Sequence, residues 1–100
     1  MPMFENRLTK ALCVYLGYER YPIPAAHPED LKVALGLDRA QELIPRLDEI
    51  VTYAVDLTIG AEIDLGNLAE NAAGAVRRKY PGVGKRGRRA VAWYVTHHWQ

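Results

Sequence analysis

Residues 65–98 read LGNLAENAAGAVRRKYPGVGKRGRRAVAWYVTHH, and the punctuation of this stretch decides the fold. Leu65, Leu68, Ala72, Ala75 and Val76 recur at spacings of three and four, which predicts a helix over residues 65–79 with those positions inward. Ala69, Ala72, Ala73, Gly74 and Ala75 are small enough to let a second helix approach closely. Tyr80-Pro81-Gly82 stops the element, because proline lacks an N–H and disfavours helical geometry in the residue before it. A last helix begins near Gly84–Gly87 and runs to about His98, with Ala90, Val91, Tyr94 and Val95 on its apolar stripe. His98 is next in line and Trp93 lies on the flank. Asp64 stands where a side-chain oxygen can cap the first of these two helices.

Working outward, the same period governs the rest of the chain. From Asp38, a second candidate cap, the residues Ala40, Leu43, Ile44, Leu47, Ile50, Val51, Ala54, Leu57 and Thr58 follow one face, and Gly60 ends the element. Pro45 interrupts it, and a kink or break is expected between Ile44 and Pro45. The β-branched run Ile50–Ile59 is the one place where a strand competes. Pro28-Glu29-Asp30 reads as a helix start and Gly36 as its stop. Phe4, Leu8, Ala11, Leu12 and Tyr15 give a first helix over residues 3–18, closed by Gly17 and the Tyr21-Pro22-Ile23-Pro24 loop. The expected class is all-α, a small bundle of four or five short helices.

A chain of 100 residues, 49% apolar and 25% charged, supports one domain, so residues 1–100 are expected to form a single helical unit containing the helix-turn-helix-like hairpin within 65–98. This composition argues against disorder, collagen-like repeats and disulfide scaffolds. Cys13 is the single cysteine, so no internal disulfide forms and a zinc site built on cysteine pairs is excluded. Its neighbours Leu12, Val14, Tyr15 and Leu16 make it a core residue rather than a reactive thiol. The opening Met-Pro-Met-Phe-Glu-Asn has neither a basic start nor an apolar signal region, and no apolar run reaches membrane-spanning length. A cytoplasmic protein without membrane contact is expected.

Charge is balanced in total and divided along the chain. Residues 1–76 hold six Lys/Arg and all twelve Asp/Glu, a net −6; residues 77–100 hold seven Lys/Arg and no acid, a net +7. The seven are Arg77, Arg78, Lys79, Lys85, Arg86, Arg88 and Arg89. Such asymmetry suggests nucleic acid or an acidic protein surface as partner. The competing explanation is internal: the basic segment neutralises an acidic face over residues 38–64. Lys85, Arg86, Arg88 and Arg89 crowd the start of the last helix, where free amides and the positive end of the helix dipole favour anions.

Tyr80-Pro81-Gly82-Val83-Gly84-Lys85-Arg86, with its flanking helices, resembles the helix-hairpin-helix motif of DNA-binding proteins over residues 68–95. In that family the hairpin amides grip a DNA phosphate without reading sequence. The resemblance implies Gly82, Gly84 and Lys85 as phosphate contacts and Val83 as the plug between the helices. The family has a small residue four positions after the second hairpin glycine; here that position is Arg88, and Ala90 follows two residues later.

Two further matches fail on context. Gly82-Val83-Gly84-Lys85-Arg86-Gly87 fits G-x-G-x-x-G, but no strand precedes it and too little chain follows to build a βαβ unit. A phosphate-binding P-loop ending in Gly84-Lys85 would need glycine at Lys79 and Ser or Thr at Arg86. His97 and His98 are adjacent, so on a helix they diverge by about 100° and do not chelate; His98 is expected at the edge of the core. Glu29-Asp30 and Asp48-Glu49 read as a helix start and a solvated face, and Glu62 and Asp64 flank a turn. No nucleophile, base and orienting group assemble by spacing, so no enzyme activity, metal or cofactor is expected. Trp93, Tyr94 and Trp99 lie near the basic cluster and offer rings for base stacking, with Tyr94 read first as core.

These readings converge on a nucleic-acid-binding protein, DNA ahead of RNA and largely indifferent to sequence, with Arg77, Arg78, Lys79, Gly82, Gly84, Lys85, Arg86, Arg88 and Arg89 as its site. The alternative is a protein-interaction module of inhibitor, immunity or accessory type, in which the charge division and C-terminal aromatics serve a partner or a homodimer.

Overall fold

The computed structural model describes residues 6–58 and 65–98. Five helices follow one another: α1 (Arg7–Leu16), α2 (Pro28–Leu35), α3 (Leu37–Asp56), α4 (Leu65–Lys79) and α5 (Lys85–His98). No strand occurs among the described residues, and Ile50–Asp56 is helical, which settles the ambiguous run. The expected all-α class holds.

Each helix forms for an identifiable reason. Asn6 caps α1, its side-chain oxygen accepting the Thr9 N–H at 2.8 Å. α1 is shorter than the periodicity suggests; Phe4 lies outside the described residues. It ends at Gly17, whose φ of 76° is the left-handed geometry glycine adopts freely. A Cβ at Gly17 would stand 2.6 Å from the Tyr21 ring, so the position excludes larger residues twice over.

Proline at the first position and Glu29 and Asp30 in the first turn start α2 as expected. Gly36 then serves both as the end of α2 and as the cap of α3, with φ 89° and its carbonyl accepting the Ala40 N–H at 3.0 Å. Because α3 starts at Leu37, Asp38 sits inside the first turn and makes no capping bond, which corrects its expected role. The break expected at Pro45 does not occur either: α3 runs through it for 20 residues. The proline is exposed, while Ala40 on one side and Leu47, Ile50 and Ala54 on the other are fully buried. That burial on both sides outweighs the single lost hydrogen bond. The helix end expected at Gly60 and the cap expected at Asp64 lie outside the described residues.

One core collects α1 (Leu12, Leu16), α2 (Leu31), α3 (Leu47, Ile50), α4 (Leu68, Val76) and α5 (Val91, Val95). Cys13 is buried within it. The most extensive packing is between α4 and α5, followed by α1 against α5. No helix is long and apolar enough, among the described residues, to cross a membrane. His98 is exposed rather than at the core edge, with its ring stacked on Tyr94 at 6.5 Å.

Candidate functional site

The segment joining α4 and α5 is a tight turn: the Val83 N–H donates to the Tyr80 carbonyl at 2.9 Å. Val83 is completely buried. At Gly87 the first turn of α5 comes close to the turn and to α1: a Cβ there would stand 2.8 Å from Val83 Cγ1 and 3.4 Å from the Thr9 backbone. Arg88, at the position where the resembled motif has a small residue, does not enter this close approach. It is half-buried and folds back so that its guanidinium Nη1 donates to the Val83 carbonyl at 2.9 Å.

The hairpin is held from the far end of the chain. The Gly84 N–H donates to the Thr9 hydroxyl at 2.7 Å, and the Asn6 side-chain amide donates to the Gly82 carbonyl. The amide assigned by resemblance to a phosphate is therefore already hydrogen-bonded within the fold. Gly82 is exposed, with its carbonyl held by Asn6.

The seven cations divide into two sets. Lys79 lies over the Tyr53 ring, 4.3 Å from its centroid, and 5.9 Å from that of Tyr80. Arg86 pairs through Nε with Glu19 Oε1 at 3.0 Å, and Arg88 is turned onto Val83. Arg77, Arg78, Lys85 and Arg89 are exposed and form no ion pair with a described carboxylate. Neutralisation by residues 38–64 is not seen among the described residues: the one carboxylate paired with the basic segment is Glu19.

Tyr80 opens the hairpin, buried, with its ring edge-on to Tyr53 at 5.6 Å. Burial, followed by the charge of Glu49 and a hydrogen bond to it, raises the Tyr80 phenol above its ordinary pKa. The ring is thus a neutral anchor rather than an acid. Trp93 packs edge-on to Tyr18 at 5.6 Å, and Tyr94 is half-buried against the core. Trp99 lies outside the described residues. No group of three or more His, Cys, Asp or Glu side chains is placed to hold a metal among the described residues.

Comparison with protein-family models, with curated proteins and with solved structures finds no match to this chain.

Sequence reasoning missed Asn6 and Thr9, the residues that clasp the hairpin, and Glu19, which pairs with Arg86. The Asn-x-x-Thr spacing signals a helix cap, but nothing local signals that both side chains also reach residues 82–84.

Proposed function

We propose that the protein binds nucleic acid through the tip of the α4–α5 hairpin, holding backbone phosphates without reading bases. The observation that carries this reading is the pair Lys85 and Arg89. They stand at i,i+4 on the exposed side of α5, at the helix end whose dipole already repels cations, and no described acid pairs with either. An anion relieves both conflicts. Arg77 and Arg78 close α4 at the other side of the same turn, where the helix dipole favours them, and extend the positive surface. Gly84 and Arg88 act as framework in this reading, and Lys79 and Arg86 are secondary contacts. DNA is the first partner to test.

The experiment is fluorescence anisotropy with a short DNA duplex and its RNA equivalent at several salt concentrations. Lys85→Gln/Arg89→Gln and Arg77→Gln/Arg78→Gln should each weaken binding of any sequence. Each should also flatten the log–log salt slope by about 0.9 for every phosphate that is no longer neutralised. Affinity indifferent to salt and to both variants refutes the reading.

The protein-interaction alternative draws on a different observation. Val33 is 89% exposed and Leu37 54% exposed, both beside the α2–α3 junction and away in sequence from the basic segment. Val33→Ser/Leu37→Ser tests it: a partner or self-association that survives nuclease treatment and disappears in this variant favours that reading.

A further inference from the structure

A cavity of about 280 Å³ lies where the end of α1 and its following turn face the first turn of α5. Lys10, Arg20 and Arg86 line it together with Glu19, Tyr18 and Cys13. Among the described residues that line it, three are cations and one is a carboxylate. Lys10 pairs with no described acid. Arg20 lies 5.5 Å from the centre of the Tyr21 ring, a contact that orients the guanidinium without neutralising it.

The turn that carries Glu19 adds an independent observation. The Arg20 N–H donates to the Gly17 carbonyl at 3.1 Å, which puts Glu19 at the third position of a tight turn. Its φ is 65°, the left-handed geometry that favours glycine, and it is the sole non-glycine with positive φ among the described residues. A residue carrying a Cβ is strained there, and such strain concentrates at ligand sites. What the strained residue contributes is a carboxylate delivered to Arg86 at the cavity.

We infer that this cavity binds a phosphate monoester dianion, with Lys10 and Arg20 as its principal cations and Glu19 as a resident counter-charge that the phosphate displaces from Arg86. A dianion matches the two cations, Lys10 and Arg20, that pair with no described acid. The volume falls just below the range of about 300–1,000 Å³ typical of sites for drug-sized ligands. It therefore fits the phosphate and only the nearest atoms of its ester. Tyr18, braced edge-on by Trp93, is the aromatic wall for those atoms. The same chemistry is offered by a small phosphomonoester and by the terminal 5′-phosphate of a strand. This site shares Arg86 with the hairpin reading, but its principal residues Lys10, Arg20 and Glu19 take no part in that reading.

The test uses the full chain at constant ionic strength with inorganic phosphate as the first probe, followed by fluorescence of a Trp99→Phe background, in which Trp93 is the one tryptophan, and by ³¹P line broadening. Wild type should bind saturably. Lys10→Gln/Arg20→Gln should weaken binding by about tenfold or more, as expected for loss of charge-assisted hydrogen bonds. Arg77→Gln/Arg78→Gln should leave phosphate binding unchanged while weakening any duplex binding, which separates the two sites. Glu19→Gln should tighten phosphate binding. All these side chains are exposed, and circular dichroism checks that each variant folds. Competition by glycerol 3-phosphate, or by a 5′-phosphorylated dinucleotide over its 5′-hydroxyl counterpart, identifies the source, and either result supports the site. No saturable phosphate binding, equal binding in Lys10→Gln/Arg20→Gln, or weaker binding in Glu19→Gln overturns the inference.

Discussion

The Thr9 hydroxyl, two residues into α1, accepts the backbone N–H of Gly84 at 2.7 Å across a sequence separation of 75 residues. Thr9 is 2% exposed, so water does not replace it easily. Thr9→Val keeps the shape and leaves the Gly84 donor unsatisfied, at a cost of about 1–3 kcal/mol. Thr9→Ser, which keeps the hydroxyl, should recover most of that loss. Urea denaturation of the three proteins measures it, and equal stability of the valine and serine variants refutes the role given to this bond.

The glycines of the hairpin are not equivalent. Gly87→Ala forces a Cβ to within 2.8 Å of Val83 Cγ1 and 3.4 Å of the Thr9 backbone. Overpacking of this kind costs about 1–3 kcal/mol, and the better helix propensity of alanine offsets about 1 kcal/mol of it. A net destabilisation of up to about 2 kcal/mol is expected. Gly82→Ala meets nothing closer than Leu8 Cδ2 at 3.9 Å and should stay within about 0.5 kcal/mol of wild type. Thermal unfolding of the two variants side by side decides it.

Alkaline stability should depend on Tyr15. Its phenol donates to Asp48 Oδ1 at 2.6 Å. Burial first, and then the hydrogen bond and charge of Asp48, raise its pKa above the ordinary value of 10.0. A raised pKa means that the folded state retains a proton the unfolded chain releases. The stabilisation is therefore complete below about pH 10 and is lost as pH climbs from there towards the folded pKa. Tyr15→Phe should cost about 0.5–1.5 kcal/mol at neutral pH and show a shallower decline above about pH 10. Identical alkaline profiles would exclude Tyr15 as the source.

Pro45 is exposed in the interior of α3, where it supplies no N–H. Replacement by alanine recovers a helical hydrogen bond to Gln41 and relieves the ring clash, against a smaller gain in unfolded-chain entropy. Pro45→Ala should stabilise the fold by about 1–2 kcal/mol, read as a higher urea midpoint with an unchanged slope.

The helices were legible because each carries its own period. Leu68, Ala72, Ala75 and Val76 on α4, and Ala90, Val91 and Val95 on α5, are buried as their spacing predicts. Errors arose where a local rule competed with packing. Pro45 does not break α3, because burial on both sides holds the helix together. Asp38 does not cap α3, because Gly36 joins it directly to α2. The expected site was legible as a charge cluster but not as a geometry. Whether Arg86 meets an acid depends on Glu19, and whether Gly84 offers its amide depends on Thr9. Both partners lie more than 60 residues away and leave no mark on the local pattern.

The clasp formed by Asn6 and Thr9 also orders events during synthesis. α1 emerges from the ribosome before α5, and the backbone groups it must grip belong to residues 82 and 84, 76 and 75 positions further along the chain. Its apolar stripe packs on α2 and α3 as well as on α5, so the shielding of Leu12 and Leu16 is incomplete until α5 has been made. Nascent-chain arrest short of Gly84 should therefore yield a protease-sensitive amino-terminal segment, and closure should coincide with release of α5.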